Sequence, residues 1–420
     1  MWPESVPDDF LIDNGTLIGY FGEESYVTIP EKVHTIGDYA FMNRDIIQVD
    51  FPTGLRTVGN YAFYNCRKLS GSLIIPDSVE SLGKCAFYGC ESLNEKIVLP
   101  ANLKELQKGS HVFVNCLAVT ELEINCTNAV LDVEEIALLS RLKKITFRSA
   151  SVPQLTSSYM IYMDSLEEIA VPYQSYCEYT QAFSSIAFPE HAVIIPYDKP
   201  DGAADFFIDE NGKLIAYAGS DTEVQVPEGV REIGKSVFRN RSDITIVSLP
   251  DGVVRIGFAA FQRCTGLQKI NLPDTVTVIG DHAFYKCEKL KEIHLPKALE
   301  EIEDFAFSCC TSLSGGLDIP SSTKRVGKRS FEQCSGMKGV LRIGAEIIDE
   351  NAFWGCYGFS SLVILPSVKT IKGAAFYHCY GFEGDLIFPE GVEEIGALSF
   401  AYCYGFDGTI YLPLKIHVKR

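Results

Sequence analysis

A chain of 420 residues is longer than one hydrophobic core usually supports, so two domains or a repeat architecture are expected. Its 46% hydrophobic and 22% charged content is ordinary for a folded protein and argues against disorder. The formal charge of −18, with no basic stripe, argues against a nucleic-acid partner and an anionic membrane face, because clustered Lys and Arg supply most of the affinity for polyanions.

In chain order, the first expected element is a β-hairpin over residues 9–20. Phe10-Leu11-Ile12-Asp13 and Thr16-Leu17-Ile18 flank Asn14-Gly15, a dipeptide suited to the two positive φ angles of a type I′ turn. From 26 to 116 the chain aligns with itself at a period of about 23 residues. The anchors of this stretch are Phe41, Phe63, Phe87 and Phe113. Over 117–197 the strands Leu122-Glu123-Ile124, Ile145-Thr146-Phe147 and Ile169-Ala170-Val171-Pro172 persist, but the Gly-x-x-Ala-Phe block is gone. The Pro/Asp/Gly-containing stretch Pro196–Ala204 follows. A second copy of the opening module then begins, Phe207-Ile208-Asp209-Glu210-Asn211-Gly212-Lys213-Leu214-Ile215, expected as a hairpin over 206–217. From 224 to 413 the anchor returns at Phe238, Phe261, Phe284, Phe307, Phe331, Phe353, Phe376 and Phe400. The chain therefore divides into 1–197, regular to about 116 and degenerate after it, and 198–420, a hairpin followed by eight regular repeats.

Each part of the repeat has a physical job. In Leu290-x-x-Ile293-x-Leu295 the last two apolar residues alternate, which marks a strand with one buried face, and Pro296 closes it. The Ile-Gly step (Ile36-Gly37, Ile256-Gly257, Ile279-Gly280) suits a turn that tolerates positive φ. The Ala-Phe pair fills the back of the coil, and stability has to come from stacked neighbours. A hairpin at each start would cover the first coil's exposed core. Arg44 and Arg241 stand in the first copies where later copies carry Cys.

These residues give an I-P-x-x-V-x-x-I-G-x-x-A-F-x-x-C-x-x-L pattern that resembles the BspA-like branch of the leucine-rich repeats, closely over 26–116 and 224–413 and loosely over 117–197. The expected fold is an α/β repeat: a leucine-rich-repeat solenoid with short parallel strands, as two capped arrays in tandem. The resemblance implies an exported, extracellular or cell-surface protein used for adhesion or partner binding. Residues 1–20 lack a secretory leader pattern, which leaves room for one removed upstream, and no apolar run is long enough for direct membrane insertion.

Little in the sequence points to catalysis. Ten of the fourteen cysteines fall three residues after an anchoring Phe: Cys66, Cys90, Cys116, Cys264, Cys287, Cys310, Cys334, Cys356, Cys379 and Cys403. Equivalent side chains in stacked coils point the same way, which disfavours disulfides and favours a buried, reduced ladder. On that reading Cys287→Ser costs about 1–3 kcal/mol, for a hydroxyl buried without a partner. Cys85, Cys126, Cys177 and Cys309 lie off the ladder and are the better candidates for reactive thiols. Gly229-Val230-Arg231-Glu232-Ile233-Gly234-Lys235-Ser236 matches a P-loop letter by letter, but its apolar and Gly positions belong to the repeat and no βαβ context surrounds it. The seven histidines are scattered, without H-E-x-x-H or C-x-x-C, so neither a metal nor a cofactor is expected.

What remains is surface. On the late strands of the second array the positions expected to face outward turn apolar: Val340, Leu362, Ile364, Ile387 and Tyr411. Tyr357, Tyr380 and Tyr404 form a column, each directly after a ladder Cys, with Trp354, Tyr377 and Tyr402 nearby. The plainer readings are packing between adjacent coils for the tyrosines and cover by a further segment or a dimer mate for the late strands. The functional expectation is a non-catalytic scaffold for a protein ligand, such as a host or extracellular-matrix component. The alternatives are a glycan-binding module and an enzyme with an unrecognised site at the array junction.

Overall fold

Three ladders of hydrogen bonds join each regular coil to the next, and each ladder traces to a residue type in the repeat. The computed structural model describes residues 9–156, 163–184, 186, 189, 192–414 and 416–418. It falls into two units, Met1–Ala203 and Ala204–Arg420.

The first ladder is the expected strand. In unit 1 it comprises a parallel pair, Tyr26–Thr28 with Gln48–Asp50, and a six-stranded parallel sheet of Gly71–Ile74, Leu93–Leu99, Glu121–Ile124, Lys144–Phe147, Glu168–Val171 and Val193–Pro196. The strands of the degenerate stretch thus continue those of the regular coils, as the alternation of Leu122 and Ile124 leads one to expect.

The second ladder departs from expectation. The Ile of the Ile-Gly step is a short strand of its own, and in unit 2 these pairs stack in parallel from Glu232–Ile233 through Glu394–Ile395 to His417–Val418. The glycine after it does not have positive φ. It is needed because a Cβ on Gly257 would lie 2.7 Å from the Ile233 carbonyl oxygen, and one on Gly37 2.8 Å from that of Leu17. Close approach of the neighbouring coil, not turn geometry, selects glycine there. Both opening hairpins feed this ladder. Phe10–Asp13 pairs antiparallel with Thr16–Tyr20, which runs parallel to Thr35–Ile36. Phe206–Ile208 and Lys213–Tyr217 repeat the arrangement beside Glu232–Ile233.

The third ladder is the return path, and here the α/β expectation fails. The residues two before and two after every anchoring Phe have positive φ: Tyr39 and Asn43 around Phe41, His282 and Lys286 around Phe284, Leu398 and Tyr402 around Phe400. A left-handed residue every four positions cannot propagate a helix. The geometry instead turns the N–H groups of those two residues and of the Phe toward the next coil. His282, Phe284 and Lys286 donate to the carbonyls of Asp304, Ala306 and Ser308, at 3.0, 2.7 and 2.9 Å. Two left-handed residues cost a coil about 2–4 kcal/mol, and three hydrogen bonds return about 1.5–4.5 kcal/mol. The balance is favourable only with a neighbour in place and with the Phe buried. The rings stack accordingly, 4.8 Å apart for Phe41 and Phe63 and 5.1 Å for Phe261 and Phe284. At the start of each stack a tilted hairpin Tyr meets the first Phe at 5.3 Å, Tyr20 on Phe41 and Tyr217 on Phe238.

Among the described residues, α-helix is confined to α1 (Val133–Ala137) and α2 (Tyr176–Phe183), both in the stretch that lost the Gly-x-x-Ala-Phe block. Asp132 caps α1 by accepting from the Glu134 N–H at 2.9 Å. α1 also meets the third ladder of unit 1. Its Glu135, only 4% exposed, accepts at 2.8 Å from the N–H of His111, a ladder donor, and at 2.6 Å from that of Gly109, which lies outside the ladder.

Candidate functional site

The strand face of unit 2 carries fewer outward apolar side chains than its sequence leads one to expect. Val340 and Ile387 are exposed, and Ile387 pairs with the exposed Tyr411 of the next coil. Leu362 and Ile364 do not face outward: Ile364 is buried and Leu362 packs against the core. The cause is the repeat frame: Phe359-x-x-Leu362-x-Ile364 has the spacing of Leu290-x-x-Ile293-x-Leu295, so both residues hold inward places. The preceding coil spaces Met337, Leu341 and Ile343 one residue wider, and the register shifts accordingly, Gly339 pairing with Phe359 but Val340 with Ser361. Beyond the shift Leu362 and Ile364 align with the buried Leu341 and Ile343, and Val363 aligns with Arg342. Arg342 in turn lies 3.9 Å from Asp318, which makes this part of the face mixed in character.

The tyrosine column forms as a column. Tyr357 and Tyr380 stack at 5.5 Å, and Tyr380 and Tyr404 at 6.1 Å, with interplanar angles of 13° and 14°. All three are exposed, Tyr404 by 73%. Stacking between coils and exposure to solvent, weighed as alternatives in the sequence, hold together. Tyr402 adds a ring edge-on to Tyr404 at 5.8 Å and stacks on His378 at 4.5 Å. Tyr377 meets Tyr402 edge-on at 5.0 Å. His378 reads in sequence as one of several scattered histidines; the signal that would have placed it is its position two residues after Phe376, equivalent to Tyr402. Because the rings cover one another's faces, the column presents mainly edges and hydroxyls. Two hydroxyls are engaged within the protein, that of Tyr357 with Gln333 Oε1 at 3.4 Å and that of Tyr380 with His378 Nδ1.

The ten ladder cysteines are free, and each thiol donates to the carbonyl of the anchoring Phe one coil earlier. Cys264 reaches Phe238 at 2.9 Å, and Cys287 and Cys310 reach Phe261 and Phe284 at 3.1 Å. Burial pushes up the thiols of Cys66, Cys264, Cys287, Cys310, Cys334, Cys356 and Cys379, those of Cys66 and Cys356 to about 12. The first copies have no preceding Phe carbonyl, which accounts for their arginines. Arg241 donates to the Gly219 carbonyl at 2.9 Å and to Asp243, and lies 5.2 Å over the Tyr217 ring. Arg44 lies 5.8 Å over Phe21. Two of the proposed reactive thiols are misplaced: Cys85 and Cys126 are buried, and burial raises both, Cys126 to about 11. Cys177 and Cys309 are partly exposed.

The P-loop lookalike is repeat structure. Glu232–Ile233 is a ladder strand, Ser236 has positive φ, and the Lys235 ammonium lies 5.4 Å over the Phe258 ring. No group of three or more His, Cys, Asp or Glu side chains among the described residues could hold a metal. No helix among them is long and apolar enough to cross a membrane. A cleft of about 310 Å³ in unit 1 is lined by Asn60, Gly83, Lys84, Glu105, Lys108 and Ser110, with neither Cys nor His in its wall.

The sequence matches the family described as BspA type leucine rich repeat region over 21–132, 70–187, 215–338 and 340–416. No curated protein matches it. Similar solved structures include a leucine rich cell surface protein from Faecalibacterium prausnitzii, 23% identical over 80% of this chain and 93% of that one, with a TM-score of 0.42. A leucine-rich repeat protein from Bacteroides ovatus is 22% identical over 98% and 90%, also at 0.42. The leucine rich repeat protein of T. pallidum is 30% identical over 44% of this chain and 91% of its own, at 0.39.

Proposed function

Because the chain belongs to the BspA-type leucine-rich-repeat family, we propose that it is an exported, cell-surface scaffold that binds a protein partner and catalyses nothing. The contact surface in this reading is the late coils of unit 2, through the column Tyr357, Tyr380 and Tyr404 and the outward strand residues Val340, Ile387 and Tyr411. One observation carries the choice of a protein over a glycan. Sugars dock on open aromatic faces, whereas these rings stack on one another and offer edges and hydroxyls, which suit the mixed apolar and polar contacts of a protein interface. The outer ring, Tyr404, is the one feature that favours a glycan. We also read the two hairpins as caps, since Tyr20 and Tyr217 end the Phe stacks in the same way.

The test applies the full chain to arrays of extracellular-matrix proteins and of glycans. Two variants accompany it, Tyr357→Ser with Tyr380→Ser and Tyr404→Ser, and Val340→Thr with Ile387→Thr and Tyr411→Thr. The expected result is binding to a protein, lost in at least one variant while the thermal melt stays within a few degrees. Binding confined to glycans, or protein binding that survives both variants, overturns the assignment.

A further inference from the structure

The second ladder of unit 1 is interrupted in the middle of the array. It runs from the hairpin through Thr35–Ile36 and Thr57–Val58 to Ser81–Leu82 and stops there. Glu105–Leu106 of the next coil pairs instead with Val130–Asp132, in a separate sheet. The break has its cause in the residues. In the regular coils the glycine after the strand lets neighbours close, and the Gly59 and Gly83 N–H groups donate to the Ile36 and Val58 carbonyls at 2.8 Å. A Cβ has no room at that place: on Gly83 it would lie 2.5 Å from the Asn60 backbone nitrogen. The next coil carries Gln107 there, and two added residues, since Leu106 and Phe113 are seven apart where Leu82 and Phe87 are five apart. Lys104 still donates to the Glu80 carbonyl at 3.1 Å, and the coils meet again where Cys85 donates to the Ser110 carbonyl at 2.8 Å. Between those two bonds they part, around the cleft of about 310 Å³.

The far wall is held from outside. Glu135 of α1 accepts from the Gly109 and His111 N–H groups, and Glu134 pairs with Lys108 at 2.7 Å. The Ser110 N–H closes a turn on the Gln107 carbonyl at 3.0 Å. A cleft braced in this way costs a ligand little ordering.

Its polar groups are sorted by kind. At the strand end stand acceptors, the Glu105 carboxylate and the Leu82 carbonyl, which lacks the N–H that Gly83 gives to Val58 and meets no donor among the described residues. At the turn end stand donors, the Lys84 ammonium and the Ser110 hydroxyl, at equivalent places of the two coils. The Ser110 oxygen is buried without a hydrogen-bond partner, and neither Lys84 nor Glu105 has an ion-pair partner among the described residues. Two residues of extended chain separate Leu82 from Lys84, about 7 Å. The charged ends of an extended dipeptide lie about 7 Å apart as well.

We propose that this cleft binds a short zwitterionic peptide of dipeptide length. Its ammonium sits between Glu105 and the Leu82 carbonyl, and its carboxylate between Lys84 and Ser110. The cleft belongs to unit 1 and shares no residue with the unit 2 surface assigned to a protein partner, so either assignment can fail alone.

The test is isothermal titration of the full chain with Ala-Ala, with N-acetyl-Ala-Ala, which lacks the ammonium, and with Ala-Ala amide, which lacks the carboxylate. The expected result is saturable binding of Ala-Ala, and binding of each blocked form weaker by at least about tenfold, the worth of a charge-assisted hydrogen bond. Glu105→Gln should weaken Ala-Ala by a similar factor and leave the acetylated form as it was; Lys84→Met should stand in the same relation to the amide. Removing Lys108 and Gly109 together with Gln107→Gly restores the Leu-Gly spacing to the Phe, closes the ladder and should abolish binding. Lys84 and Glu105 are exposed, so their variants keep the test decisive if the shortened chain does not fold. No saturation by Ala-Ala up to roughly 10 mM, equal affinity for the three peptides, or binding that survives both point variants overturns the proposal. So does binding that survives in a folded, shortened chain.

Discussion

Within unit 1 the same parallel sheet is backed in two ways. Up to Phe113 the return path is a stack of Phe rings on a ladder of left-handed turns; beyond it the path is carried by α1 and α2, with Phe147 packed on Tyr179 at 5.1 Å and on Phe183 at 5.7 Å. The sheet crosses this change without interruption, Lys96–Leu99 pairing with Glu121–Ile124 residue for residue. Strand register is therefore set by the alternation of the strand itself. The return path only has to fill volume and satisfy the previous coil's donors. A turn ladder does so with the carbonyls of the next coil, whereas α1 meets the His111 donor with one carboxylate.

That comparison can be broken most forcefully at the Phe stack. Phe284→Ala removes a ring stacked on both sides, on Phe261 at 5.1 Å and on Phe307 at 5.0 Å, and should destabilise unit 2 by about 3–5 kcal/mol. Phe113, stacked on one side at 5.9 Å, should lose clearly less when changed to Ala. Denaturant titration of the two variants decides; equal losses would mean that the stack is not what backs the regular coils.

A middle-sized effect is expected at the junction between the two backings. Glu135→Ala strands the Gly109 and His111 N–H groups and should cost about 1–3 kcal/mol, felt in unit 1. Glu135→Gln keeps one acceptor oxygen and should recover part of the loss. Hydrogen exchange at Gly109 and His111 is the direct readout. Unchanged protection in the Ala variant would remove the carboxylate from the account.

The smallest effect concerns the thiol ladder, where the structure revises the expectation for Cys287→Ser. The new hydroxyl would not be stranded, because the Phe261 carbonyl that accepts from the thiol at 3.1 Å is available to it. The cost should fall to about 1 kcal/mol or less, with Cys287→Ala losing more. Alkylation of the native chain should reach Cys309 early and the buried ladder thiols only after unfolding. Rapid labelling of Cys287 in the folded chain would contradict the burial on which this rests.

Much of the scaffold is legible in the sequence because its signals are local. Alternation in Leu122-Glu123-Ile124 places a strand, Asn14-Gly15 places a hairpin, and the spacing of Phe and Cys places the core. The return ladder was not legible for an opposite reason. Asn43, Asn65, Asn115 and Asn240 carry the preference for left-handed backbone, but Phe305, Arg329 and Leu398 adopt it at equivalent sites with no such preference. What holds them there is the next coil's carbonyls in the interior of the array, a partner about 23 residues away. The candidate surface was half legible. The tyrosine column follows from identical positions in successive repeats, whereas Leu362 and Ile364 were read as outward although Phe359-x-x-Leu362-x-Ile364 repeats the inward spacing of Leu290-x-x-Ile293-x-Leu295. Glu135 looked like one more surface carboxylate, since nothing local distinguishes it from Glu134.

Arg241 has a consequence for how such a chain finds its register. Successive coils of unit 2 are near copies, so during folding the opening hairpin meets several docking places of almost the same shape. Only the first coil carries an arginine at the thiol position, and its guanidinium reaches the Gly219 carbonyl just beyond the hairpin while resting over Tyr217. A hairpin that settled one coil late would face Cys264 in that place and leave Arg241, 9% exposed in the native state, buried without its acceptor. Stripping a charge of its partner is far more costly than misplacing a methyl group. The repeated residues say how coils stack, and this one exception says where counting starts.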